Sequence, residues 1–147
     1  MATHVARRQA RIIALQTLYE FDTTDHVAEQ VLARHAADRS LNPSTMAFAE
    51  ELVRGVLGSL EEIDAAIQTA APEWPLGQMA RIDKNILRLA IYEMLYNNAV
   101  PAKAAINEAV ELAKQFGSGA SSRFVNGVLG ALYTTSRATL APHVGGE

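Results

Sequence analysis

Cysteine is absent from the 147 residues, which excludes disulfides and thiolate chemistry and is compatible with a reducing compartment. Acidic residues are absent from the whole stretch before Glu20. No strand-like alternation of any length occurs, and no apolar run is long enough to span a membrane. The N-terminus lacks an apolar core followed by a cleavage site, so no secretory signal is expected. P-loop, G-x-G-x-x-G, G-x-S-x-G and H-E-x-x-H patterns are all missing, and His4, His26, His35 and His143 are dispersed. Neither a metal site nor a cofactor is expected, and enzyme activity is not. Glu108 and Glu111, one imaginable acid/base pair, fall on the solvent face of an amphipathic segment.

What is present is helical periodicity. Half the chain is hydrophobic (49%) and a fifth is charged, which suits one domain with its own core. The stretch Ile82–Tyr96, IDKNILRLAIYEMLY, is apolar on nearly every side of a helical wheel, with a narrow strip at Lys84, Asn85 and Arg88 fit for water. Such a helix belongs inside a bundle. Glu93 breaks the pattern by falling on the side of Ile82 and Ile86, where a carboxylate needs a partner or an exposed edge.

Around this hub the spacing predicts further helices. Residues 3–22 carry an Ile12, Leu15, Leu18, Tyr19 stripe with Thr3 as N-cap, and 27–39 turn Val31 and Leu32 inward. After SLNPST, where Ser44 or Thr45 can cap, one helix over 46–70 contains Gly55 and Gly58, read as points of close helix approach. The Pro-flanked APEWPLGQ makes a corner, with Trp74 as a lid on the core. Residues 102–116 are amphipathic, and Ser121 caps a last helix over 122–133. The expected fold is all-α, one bundle of about six or seven helices over residues 1–135, with 136–147 a flexible tail.

Net charge is only -3, but Arg7, Arg8 and Arg11 continue the buried stripe of the first helix toward its N-terminus. Cations there oppose the helix dipole, so stability alone does not explain them. Two readings stand: they pair with acids of the body, Glu93 included, or they hold phosphate, which guanidinium geometry favours.

Three blocks, ARRQARIIALQTLYEFD, RIDKNILRLAIYEMLY and VPAKAAINEAVELAKQFGSGASSRFVNGVL, closely resemble the NusB family of bacterial transcription antitermination factors. The likeness extends from about residue 5 to about 133, and the last block is the most specific. It implies a cytoplasmic helical factor that joins the small ribosomal protein NusE and binds the single-stranded boxA element of nascent ribosomal RNA. Its further context would be the antitermination complex of RNA polymerase. By position, RNA contacts fall on Arg7, Arg8, Arg11, Arg123, Phe124 and Asn126. The partner surface falls on Tyr19, Arg88, Tyr92 and Glu93. Ala120 stands where many relatives carry an acid. The same domain is similar to the RNA-targeting part of ribosomal RNA cytosine methyltransferases, so a stand-alone targeting or protein adaptor domain is the alternative. Self-association into a homodimer stays open.

Overall fold

Apolar residues at helical spacing fold this chain into helices and connectors, with no strand among the described residues. The structure, a computed structural model, describes residues 4–97 and 100–146, with side chains up to residue 135. The helices are α1 (His4–Thr23), α2 (Ala28–Arg39), α3 (Pro43–Gly58), α4 (Leu60–Ala70), α5 (Arg81–Leu95), α6 (Ala102–Phe116) and α7 (Ser121–Gly146), with one 3-10 turn at Leu76–Gln78.

Helix α5 is the hub, packed against α1, α3, α4, α6 and α7. Ile86, Leu87, Leu89, Ala90 and Ile91 are all buried, as an all-round apolar helix requires. The strip expected to face water is also covered: Asn85 is fully buried and Arg88 is 8% exposed. The reason is that acids from other helices close over it. Arg88 forks onto Asp64 of α4, at 2.8 and 2.9 Å, and its third nitrogen meets Asn85 Oδ1 at 3.2 Å. Asp22 of α1 lies 3.1 Å from Lys84 Nζ and accepts from Asn85 Nδ2 at 3.3 Å.

The remaining departures are local. The helix expected over 46–70 breaks at Ser59, whose N–H reaches back to both Gly55 and Val56 carbonyls. Gly58 ends α3 because its missing side chain makes helix continuation costly, by about 1 kcal/mol, and a Cβ there would meet nothing within 4 Å. At Gly55 the close-approach reading holds, since a Cβ would fall onto the Tyr92 ring of α5. Asn42, rather than Ser44 or Thr45, caps α3: its Oδ1 accepts from Thr45 N–H at 2.9 Å, with Pro43 in the first turn. Ser121 Oγ bonds backward to Ser118 N–H at 2.8 Å and closes the loop. Tyr19 lies at the margin of its stripe, 42% exposed, while Ile13 and Ala14 are buried in its place. The backbone of α7 stays helical to Gly146, past the Tyr133 end that fading periodicity predicts and into the segment assigned to a tail. From Ala131 to Ala141 the sequence offers neither glycine nor proline to stop it. Thr3 and Asn98-Ala99 lie outside the described residues.

Candidate nucleic-acid interface

The three arginines of α1 point the same way along the wheel yet meet different fates. Arg11, nearest the apolar core, is 2% exposed and forks onto Glu93 of α5: Nε donates to Oε2 at 2.9 Å and a terminal nitrogen donates to Oε1 at 2.8 Å. Its other terminal nitrogen lies 3.6 Å from Glu108 of α6. Arg8, one turn nearer the N-terminus and on the α6 side, forks onto Glu108 at 3.0 and 2.8 Å and stays half exposed. The hydrogen bond from Arg8 pulls the Glu108 carboxyl below its ordinary range, against the desolvation that pushes it up, and the same bond raises Arg8. Arg7 has no ion pair among the described residues. Its guanidinium lies over the Phe48 ring at 5.8 Å, and Arg11 approaches the same ring at 5.6 Å.

The structure separates the assigned residues by burial. Arg11, which the family likeness assigns to RNA, and Arg88 and Glu93, which it assigns to the partner, are buried in ion pairs within the chain, as the pairing reading of the first helix expects for Arg11 and Glu93. Glu93 is the carboxylate on an apolar side, and it is satisfied from within by α1. Glu108, expected on the solvent face, is buried against Arg8 and Arg11. Outward faces remain for Arg7, Arg8, Arg123 and Asn126. Phe124 is partly buried and meets Trp74 edge-on, ring centroids 5.9 Å apart at 77°. Of the partner set, Tyr19 is exposed and Tyr92 is half buried, stacked on Tyr96 at 6.2 Å.

The two parts of the basic face open on different cavities. Arg8 lines one with Glu111 and Lys114, whereas Arg123 and Phe124 line another with Trp74 and Glu73. Trp74 departs from its expected place as a core lid. It is 53% exposed, on a loop stitched by Gln68, whose amide donates to the Trp74 carbonyl at 2.9 Å and accepts from Leu76 N–H at 3.1 Å. Its place between prolines was the available signal, because such connectors run over surfaces. No three or more His, Asp or Glu side chains among the described residues are grouped to hold a metal.

Arginines without an ion pair among the described residues, an aromatic pair and an amide on a helical scaffold make up the parts of a binding face. More narrowly, the chain belongs to the NusB family, whose model matches residues 8–134. It is 48% identical over 130 residues to the transcription antitermination protein NusB of Chloroflexus aggregans, 87% of each chain being covered. The solved NusB of T. maritima is 32% identical, with a TM-score of 0.81 over 90% of this chain and 92% of that one. The crystal structure of antitermination factors NusB and NusE in complex with dsRNA superposes with a TM-score of 0.83 over 90% of this chain and 99% of that chain; at 24% identity it shows the fold alone.

Proposed function

We propose that Arg7, Arg8, Arg123, Phe124 and Asn126 form the face on which this chain holds single-stranded boxA RNA, assembled with the small ribosomal protein NusE. The chain is a transcription antitermination factor of the NusB family and not an enzyme. The observation that carries the assigned face is the pair of cations without an ion pair among the described residues, Arg7 on α1 and Arg123 on α7, each beside an aromatic ring. Phosphate contacts with rings to stack on are what single strands require. Arg11 and Glu93 serve this face from beneath, fixing α1 on α5 so that Arg7 and Arg8 project from a rigid element. Two separated basic patches give weak binding alone, which makes a partner that adds surface physically reasonable. Tyr19 and the Tyr92–Tyr96 stack supply that partner's contact. The setting is the antitermination complex of RNA polymerase in the cytoplasm; no helix among the described residues is long and apolar enough to cross a membrane.

An anisotropy titration of labelled boxA-like RNA, with and without the NusE-type protein, tests this. The expected result is RNA binding that tightens with the partner. Absence of RNA binding in both arms overturns it.

A further inference from the structure

Helix α2 packs on α1, touches the edge of α3, and lies outside the set of helices gathered round α5. Of its twelve residues, Val31, Leu32 and Ala36 are buried. Both ends lack the usual stops. Val27 at the N-cap has no side-chain acceptor to offer and is exposed, and Ser40 closes the helix at φ 52°, a left-handed conformation that favours glycine. Few buried contacts and poor caps mark an element that opens more readily than the core beneath it.

Beyond those three side chains, α2 is fastened by one carboxylate, Glu20 near the end of α1. Arg34 and His35 of α2 both reach its Oε1, the imidazole at 3.3 Å, and His26 of the connector stands 2.7 Å from Oε2. Among the described residues, the side-chain hydrogen bonds from α2 to other elements all end on this carboxylate. The clasp differs in kind from the Arg11–Glu93 pair at the hub. Arg11 and Glu93 are sealed, whereas the Arg34 and His26 side chains are 52% and 59% exposed, so water competes for the clasp and it opens at little cost. Glu20 and His35 are also wall residues of an apolar groove of about 360 Å³, bounded further by Leu15 and Tyr19 of α1, Ile82 of α5 and Phe116 of α6. The contact that holds α2 therefore shapes the groove.

We propose that α2 is a movable strap on this groove, and that Glu20 is the positioning residue that clasps it. The inference rests on the reading that Tyr19 meets the NusE-type partner, and adds the element that closes beside it. With the clasp made, His35 stands against the groove and narrows it around a side chain seated on Tyr19 and Phe116. With the clasp open, α2 keeps only the packing of Val31, Leu32 and Ala36, and swings away while α1 and α5 stay joined through Arg11 and Glu93. A partner held under the closed strap leaves when the strap opens. Glu20 thus sets residence time and leaves the rate of encounter alone.

Native-state hydrogen exchange of the full chain, followed in low concentrations of guanidinium chloride, tests the strap. In the parent, amides of α2 should exchange at least about tenfold faster than those of α5, through an opening whose denaturant dependence is small. Glu20→Gln and, from the other side of the clasp, Arg34→Ala should each speed α2 by a further factor of about five. Gly55→Ala, which loosens α3 on α5, should leave α2 at the parent rate. Added NusE-type protein should slow α2. Released from immobilised NusE-type protein, the Glu20→Gln chain should dissociate about fivefold faster than the parent, with association unchanged. Amides of α2 that share the protection and denaturant dependence of α5 overturn the strap, as does Gly55→Ala speeding α2 as much as Glu20→Gln does. Faster α2 exchange with an unchanged release rate, or a partner that protects α1 and α5 but not α2, overturns its place at the groove. A NusE-type protein that fails to bind the parent overturns the partner reading instead, and exchange in the free chain still decides whether α2 opens on its own.

Discussion

Arg11 of α1 and Glu93 of α5 share two short hydrogen bonds, 2.9 and 2.8 Å, with both side chains sealed from solvent. The pair joins the first helix to the hub at the point where the apolar stripe of α1 turns basic. Two charges taken out of water are costly, and their attraction repays that cost only while both are present. The pair therefore separates Arg7, which has no ion pair among the described residues, and the half-exposed Arg8 from the inner arginine, which holds the scaffold.

Removing one partner leaves the other charge buried and alone. Glu93→Lys or Arg11→Ala should each lower stability by about 3–5 kcal/mol in chemical denaturation. The double change Arg11→Met with Glu93→Leu should cost far less, because no orphan charge remains. Near-neutral single substitutions would show that the pair opens to water.

The helices and the hub were legible because they depend on periodicity, a property of neighbours in sequence. The pairing of Arg11 with Glu93 was legible only as one of two readings, because the partners are 82 residues apart and a wheel gives a face without naming what covers it. Its trace was present all the same: a carboxylate on an apolar face, opposite a basic stripe. The strip of Lys84, Asn85 and Arg88 looks wet on a wheel for the same reason, since Asp22 and Asp64 that cover it belong to other helices. The hydrophobicity of Trp74 points to the core, whereas the Gln68 stitch holds its loop on the outside.

The two glycines of α3 make a contrasting pair. Gly55→Ala drives a methyl group into the Tyr92 ring and should destabilise by about 1–3 kcal/mol. Gly58→Ala meets open space, and no described glycine has a positive φ, so it should stabilise by about 0.4–1 kcal/mol. Urea midpoints of the two variants, measured side by side, check the contrast; equal effects would remove the close-approach argument.

RNA affinity should depend on the cations that lack internal partners. Arg7→Ala with Arg123→Ala should weaken binding to all single strands and flatten the dependence of log K on log salt by about 1.4, or about 0.7 for each phosphate no longer neutralised. Thermal stability should stay level, since neither side chain is in an ion pair among the described residues. A salt slope unchanged in the folded double variant would place the RNA elsewhere.

Acid stability should report the Glu20 cluster. A hydrogen bond from Arg34, then one from His26, with His35 adding a third, draws the Glu20 carboxyl from 4.5 down to about 2. The cluster ties the end of α1 to α2 and to the connector between them. Because the folded state holds this carboxylate ionised more readily than the unfolded chain does, the stabilisation is fully present above about pH 4.5 and disappears as the pH falls toward 2. Glu108, drawn down by Arg8, acts in the same sense. Glu20→Gln removes one titrating group. Its melting temperature should lie below the parent's at pH 6, decline less steeply between pH 4.5 and 2, and meet the parent's at the acid end. Melting curves taken across that range decide the point. Parallel curves for the two proteins would mean that the exposed Glu20 contacts are too screened to matter, and that acid unfolding starts at Glu108 instead.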